Sequence, residues 1–172
     1  ETSAPGVDVE TFWPDGSARH RVPGRLTTIT SANVPLKGLS VLIDALAFLP
    51  QDAWRELVVV GTPNRAVETQ LEALGLSPRV RFVSGISDDD LAGLLASAAV
   101  HVVPSLYEGF SLPAVEAMAC GTPVVATRVG ALPQRLDPGV HRVGGAEGLA
   151  DDAGGLGVAL DEVELLGVGD VD

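Results

Sequence analysis

The sequence predicts an α/β domain built on a doubly wound parallel sheet. Five short apolar runs alternate with stretches whose apolar residues recur at helical spacing, as in a repeated strand–helix pattern. The run at 57–60 is continuous rather than alternating, which is typical of a parallel strand buried on both faces. The 172 residues are 46% hydrophobic with a mean hydropathy of +0.29, which suits one domain with a real core.

The predicted elements follow one another along the chain with recognisable boundaries. We predict strands at 26–31, 57–60, 80–83, 100–103 and 124–126. The helices between them are predicted at 39–49, ending at Pro50, and at 65–74, closed by Gly75. A third helix is capped by Ser87, with an acidic first turn, and a fourth begins near Ser111 and stops at Gly121.

The regions outside these elements are predicted to be irregular. Residues 1–24 contain several prolines and glycines and are predicted to form an irregular linker segment. Residues 25–136 are predicted to form the sheet domain. Residues 137–172 are rich in glycine and acidic residues without amphipathic periodicity, and we predict an atypical, partly flexible tail.

Composition and charge argue against several classes of partner. The formal net charge of −12 argues against nucleic acid and anionic membrane surfaces as partners. No apolar stretch approaches the ~18 residues of a transmembrane segment, and the N-terminus lacks the pattern of a signal peptide. The single cysteine, Cys120, cannot form an internal disulfide and is predicted to serve packing. We therefore predict a cytoplasmic location.

The segment 104–127, PSLYEGFSLPAVEAMACGTPVVAT, carries the most information about function. Glu108 follows the fourth strand on its loop, whereas Glu116 lies about a turn inside the next helix. Ser111 suits the N-cap of that helix, and Pro113 is tolerated in its first turn. Ligands of open α/β sheets bind at this edge, where a helix N-terminus offers N–H groups to anions. Carboxylates beside an anion site suit a ligand with both hydroxyls and phosphates, such as a nucleotide sugar.

Lys37 is the only lysine among eleven basic residues, and it precedes a predicted helix in the segment PLKG. A lysine at a helix N-terminus is unfavourable for the helix dipole, which indicates that it serves an anion there. The alternative is a compositional bias toward arginine that spared one lysine.

These segments together resemble one enzyme family. The string YEGFSLPAVEAMACGTPVVAT, with its E-x7-E spacing, resembles the donor-binding motif of retaining GT-B-fold glycosyltransferases of the sucrose-synthase and mannosyltransferase type. PLKG at 35–38, LVVVG at 57–61 and RVRFVSGISDDDL at 79–91 resemble the same family in the same order. The resemblance runs over roughly residues 6–136 and implies the Rossmann-like, C-terminal half of a GT-B fold.

The resemblance implies two catalytic residues and a set of donor-binding residues. Lys37 would bind the donor diphosphate, and Glu108 would engage hydroxyls of the transferred sugar and support positive charge at its anomeric carbon. Glu116 would accept hydrogen bonds from the nucleotide ribose. The other residues implied in donor binding lie in the loops after the first, third and fourth strands: Ser31, Ser84, Gly85, Gly109, Phe110, Ser111 and Leu112.

One position departs from the family pattern. Ala32 stands where most relatives carry an arginine five residues before the lysine, so Ser31 or backbone groups would have to serve there. No metal site is predicted, because His20, His101 and His141 show no metal-ligand spacing. His101, between valines of a strand, is predicted to be a buried structural histidine.

The predicted reaction moves a sugar from a UDP-, GDP- or ADP-linked donor to an acceptor, without a cofactor. The family's acceptor site belongs to an N-terminal domain for which residues 1–24 leave no room, so this fragment alone is expected to be inactive. A degenerate nucleotide-binding module without catalysis and a structural domain without ligand affinity remain alternatives. A hydrolase that uses the two glutamates and a nucleotide-sugar epimerase are less favoured.

Overall fold

The computed structural model of the chain describes residues 6–13, 21–129 and 163–166. Its strands are β1 (Arg25–Ile29), β2 (Glu56–Val60), β3 (Val80–Val83), β4 (Val100–Val103), β5 (Val124–Thr127) and β6 (Val163–Leu166). They form one sheet with the order β3-β2-β1-β4-β5-β6. The first five pair in parallel, which confirms the predicted doubly wound sheet.

Four α-helices connect the parallel strands, each close to its predicted position. They are α1 (Leu39–Phe48), α2 (Arg65–Ala73), α3 (Asp88–Ala96) and α4 (Leu112–Ala119). The Ser87 side chain accepts a hydrogen bond from the N–H of Asp90, so the predicted cap of α3 is present. The N-cap of α2 is Asn64, whose side chain accepts from Val67.

The sixth strand differs from the sequence prediction. Within the tail that we predicted to be atypical, β6 pairs antiparallel with the outer edge of β5. The segment VELL is a short apolar run, and pairing it with β5 satisfies backbone groups that an open sheet edge would expose. The rest of residues 137–172 lies outside the described residues.

Buried side chains form two clusters, as expected for a sheet with helices on both faces. One cluster joins α1 and α2 to β2, with Ile43 and Leu57 fully buried. The other joins α3 and α4 to β4 and β5. Phe12, from the predicted linker segment, is 6% exposed and packs into this second cluster. The segment 6–13 is therefore anchored to the domain by its aromatic side chain.

His101 lies at the centre of the sheet and is fully buried, which confirms the prediction of a structural histidine. It is the register partner of Thr27 on β1, and Nδ1 of His101 lies 3.0 Å from the Thr27 hydroxyl. Burial lowers the pKa of His101 to about 3, so the ring is neutral in the folded protein at physiological pH. Cys120 is also fully buried in the core.

Candidate functional site

The strand order brings two loops together at the carboxyl edge of the sheet. Because β1 and β4 are neighbours, the loops that follow these two strands meet at this edge. This is the topological switch point, where the order of successive strands along the sheet reverses. The first loop contains a 3-10 turn, Pro35–Lys37. The N–H of Leu106, in the second loop, donates to the carbonyl of Leu36 over 2.8 Å. The two loops are thus joined directly by a hydrogen bond between their backbones.

Gly38 makes the closest approach between these loops. Its φ of 71° lies in the left-handed region, and a Cβ at this position would stand 1.8 Å from the carbonyl oxygen of Pro104. The carbonyl of Gly38 accepts from Leu42, so the same residue also begins α1. Only glycine permits both the turn and the contact, and it places Lys37 beside the loop after β4.

Lys37 and Glu108 form the centre of the site. The Lys37 ammonium (Nζ) lies 2.7 Å from Oε2 of Glu108, although the two residues are 71 positions apart in sequence. The Glu108 side chain is 11% exposed and that of Lys37 is 36% exposed. The structure therefore brings together the two residues that the sequence analysis singled out as catalytic, as a cation and a carboxylate in direct contact.

The start of α4 differs in one detail from the prediction. Ser111 occupies the N-cap position, as predicted, but its side chain makes no capping hydrogen bond. The second helical residue, Pro113, has no N–H to offer, and the N–H of Ala114 donates to the carbonyl of Ser111 instead. Within the described residues, the buried hydroxyl of Ser111 has no hydrogen-bond partner. Gly109 and Phe110 lie in the same loop, and Leu112 is the first residue of α4.

Glu116 lies on α4, about one turn from the helix start, as predicted. It is half-buried, and this burial, together with the negative charge of Asp88 at the start of α3, raises the pKa of Glu116 above its ordinary value. The loop after β3, with Ser84 and Gly85 exposed, leads directly into Asp88. The negative charge at the first residue of α3 therefore acts on the carboxyl group of Glu116.

We expect the Glu116→Gln variant to be slightly more stable than the unchanged protein at pH 7. A carboxyl with a raised pKa stabilises the fold when protonated, and this contribution is lost as pH rises through its folded-state pKa. Removing the ionised form should add about 0.5 kcal/mol, after allowance for solvent screening. Thermal denaturation at pH 7 and at pH 4 should show a gain that shrinks at the lower pH. The exposed Glu72→Gln change serves as the control, and an equal gain at both pH values would contradict the prediction.

Ser31, a predicted binding residue, and Gly61, at the end of β2, have defined local roles. Ser31 forms a turn after β1, in which its hydroxyl accepts from the N–H of Asn33 and its carbonyl from that of Val34. Gly61 packs against the first loop, since a Cβ there would stand 2.0 Å from the Thr30 carbonyl oxygen. Neither observation tests a role in ligand binding, which stays a prediction for Ser31.

Two side chains that support the site were missed by sequence reasoning. Asn64 donates to the Ala32 carbonyl over 2.8 Å and so holds the loop that leads to Lys37. Ser105 donates to Oε2 of Glu108 over 3.3 Å. Asn64 directly follows the loop after β2, and Ser105 lies three residues before Glu108, so both positions were visible in the sequence. Their partners became clear only once the loops were placed in space.

A parallel sheet with helices on both faces and this strand order is a Rossmann-like domain, the fold expected for one half of a GT-B glycosyltransferase. The family model described as "Glycosyl transferases group 1" matches residues 24–160 of this chain. The chain is 52% identical over 135 residues to the MMP alpha-(1->4)-mannosyltransferase of Mycolicibacterium hassiacum, covering 77% of this chain and 32% of that protein. The chain therefore belongs to the group 1 glycosyltransferases.

Solved structures agree with this assignment. Sucrose-phosphate synthase from Thermosynechococcus elongatus superimposes with a TM-score of 0.66 at 32% identity, over 86% of this chain and 40% of that one. Anabaena Alr3699/HepE, solved in complex with UDP-glucose, gives a TM-score of 0.67 at 26% identity, over 87% of this chain and 45% of that one. The GT-B-type Rossmann-like fold predicted from the sequence is thereby confirmed.

The chain spans about a third of the length of the curated relatives it matches. In the part that the structure describes, no helix is long and apolar enough to cross a membrane. Among the same residues, no group of three or more His, Cys, Asp or Glu side chains is placed to hold a metal ion. The cytoplasmic location stays a prediction.

Proposed function

We propose that the chain is the donor-binding domain of a retaining glycosyltransferase and binds a nucleoside diphosphate sugar at Lys37 and Glu108. The observation that carries the proposal is the 2.7 Å contact between the Lys37 ammonium and the Glu108 carboxylate. A nucleotide sugar presents an anionic diphosphate joined directly to a hydroxylated ring. A cation and a carboxylate side by side suit that junction, with the cation on the phosphate and the carboxylate on the sugar.

The neighbouring elements would complete the donor site. The N–H groups at the start of α1 lie next to Lys37 and would share the negative charge of the diphosphate as it leaves. Glu108 would accept hydrogen bonds from sugar hydroxyls and support positive charge at the anomeric carbon. Glu116 would accept from the ribose, and the loop 109–112 would hold sugar hydroxyls or the distal phosphate. Lys37 would supply the positive charge that the diphosphate needs, so we propose that transfer is metal-independent.

Relatives suggest which donors to test first. One relative is a mannosyltransferase by name, and a structural neighbour was solved with UDP-glucose. For this chain the sugar and base are proposals, and UDP-, GDP- and ADP-linked sugars form the panel. We also propose that the acceptor site belongs to a further domain of the full-length protein, so that this chain alone binds donor without transferring it.

Replacing Lys37 with glutamine is expected to weaken binding of the preferred nucleoside diphosphate by about 30- to 100-fold, since the phosphate loses its cationic partner. Isothermal titration of the chain with UDP, GDP and ADP measures this loss directly. Arg81→Gln is the matched control, because it removes a positive charge from the half-exposed side chain of a residue on the edge strand β3. Equal affinity of the Lys37→Gln variant and the unchanged chain would exclude Lys37 from the site.

A second candidate is a nucleotide-binding module that has lost catalysis, and Ala32 favours it. The family's arginine would add a second cation next to Lys37, whereas the Ala32 backbone is held by Asn64 and Thr62 and its methyl group carries no charge. Both candidates bind nucleotides, so titration does not separate them. Donor hydrolysis by the full-length protein does, because only a competent site cleaves the sugar–phosphate bond. A third candidate, a structural domain, predicts no nucleotide binding at all.

A further inference from the structure

Ser105 is a buried residue of the loop after β4 to which the sequence analysis assigned no role. The residue is 2% exposed, and its hydroxyl donates to Oε2 of Glu108 over 3.3 Å. The Lys37 ammonium binds the same oxygen over 2.7 Å. Among the described residues, Oε1 of Glu108 accepts no hydrogen bond. In this part of the chain, the two donors thus occupy one carboxylate oxygen and leave the other available.

Ser105 is itself held in place by the neighbouring strand. The hydroxyl of Thr127, at the end of β5, donates to the Ser105 carbonyl oxygen and lies 3.4 Å from that of Val103. The position of Ser105 is therefore fixed by the sheet rather than by the exposed part of its loop. A hydroxyl fixed in this way can hold the carboxylate of Glu108 in one orientation.

We propose that Ser105 is a positioning residue that holds Oε2 of Glu108 and thereby presents Oε1 to a hydroxyl of the transferred sugar. This inference rests on the proposed function. In that function Lys37 also binds the diphosphate, so its ion pair with Glu108 is weakened once the donor is bound. Ser105 carries no charge for the diphosphate to attract, and its hydroxyl remains on Oε2 when Lys37 turns toward the phosphates.

If Ser105 has this role, its replacement should weaken only the binding energy that comes from the sugar part of the donor. We compare the unchanged chain with Ser105→Ala by titration with three pairs of ligands: UDP and UDP-glucose, GDP and GDP-mannose, ADP and ADP-glucose. For the pair that the unchanged chain binds, affinity for the sugar conjugate should fall about 5- to 10-fold, whereas affinity for the diphosphate alone should change less than about 2-fold.

Two further variants make the comparison specific. Ser97→Ala removes a hydroxyl that is also hydrogen-bonded and partly buried but precedes β4, at the opposite edge of the sheet, and should change neither affinity. Ser105→Cys keeps a small side chain with a weaker donor and should regain part of the lost conjugate affinity. It also carries the test if Ser105→Ala does not melt cooperatively.

Each outcome decides between the roles. Unchanged conjugate affinity in Ser105→Ala, or an equal loss for conjugate and diphosphate, overturns the positioning role, because a merely structural hydroxyl affects both ligands alike. If Ser105→Cys replaces the alanine variant, the same two results for Ser105→Cys overturn the positioning role. Failure of the unchanged chain to bind any ligand of the panel overturns the proposed function and this inference with it. A loss confined to the conjugate supports both.

Discussion

Replacing Gly38 with alanine is expected to lower the free energy of unfolding by about 3 kcal/mol or more, the range of severe steric substitutions. The new Cβ would stand 1.8 Å from the carbonyl oxygen and 2.8 Å from the carbonyl carbon of Pro104. Both are backbone atoms, which cannot rotate away as a flexible side chain can. Either the loop after β1 or the end of β4 must move, and thermal denaturation should show a melting temperature lower by about 6–12 °C.

Gly75 provides the matched control, since it has the same backbone conformation without the contact. Its φ is 69°, and a Cβ there would meet nothing within 4 Å. Gly75→Ala should therefore cost only the strain of a left-handed alanine, about 1 kcal/mol. If the two alanine variants melt at the same temperature, the contact between Gly38 and Pro104 does not exist in solution.

The same contact connects stability with the proposed function. Moving the two loops apart would separate the Lys37 ammonium from the Glu108 carboxylate, which now lie 2.7 Å apart. Gly38→Ala should for that reason weaken nucleotide binding even at temperatures where the variant remains folded. The need for glycine at position 38 thus fixes the distance between the ammonium and the carboxylate that the proposed chemistry needs.

The helices and parallel strands could be predicted from the sequence because their signals are local. The continuous run at 57–60 and the Ser87 cap with its acidic turn each predicted an element that the structure contains. The strand β6 was missed, because VELL is too short to stand out in a tail of glycine and acidic residues and gains its structure from pairing with β5.

The residues of the site could be named from the sequence, but their contacts could not. Lys37 and Glu108 stood out as separate motifs, and nothing local says that residues 71 positions apart touch. That contact follows from the adjacency of β1 and β4 and from the turn at Gly38. The missing cap of Ser111 was also not predicted: Pro113 has no N–H, and the N–H of Ala114 donates to the carbonyl of Ser111 rather than to its side chain.

Acidification from pH 7 to pH 5 is expected to cost the fold about 2 kcal/mol through His101 alone. The pKa of His101 is lowered to about 3 by burial, whereas an unfolded histidine titrates near its ordinary value of 6.5. The unfolded chain therefore binds more protons than the folded one between these values. Stability must then fall as pH decreases below about 6.5, by up to ~1.4 kcal/mol for each pH unit.

The His101→Gln variant isolates this contribution. Glutamine does not titrate and can still hydrogen-bond the Thr27 hydroxyl, which now lies 3.0 Å from Nδ1 of His101. The other two histidines and all carboxylates are common to both proteins, so their titration cancels in the difference. Between pH 7 and pH 5 the melting temperature of the unchanged protein should fall by about 4–8 °C more than that of the variant. Parallel curves would mean that His101 accepts a proton as readily in the folded sheet as in the unfolded chain.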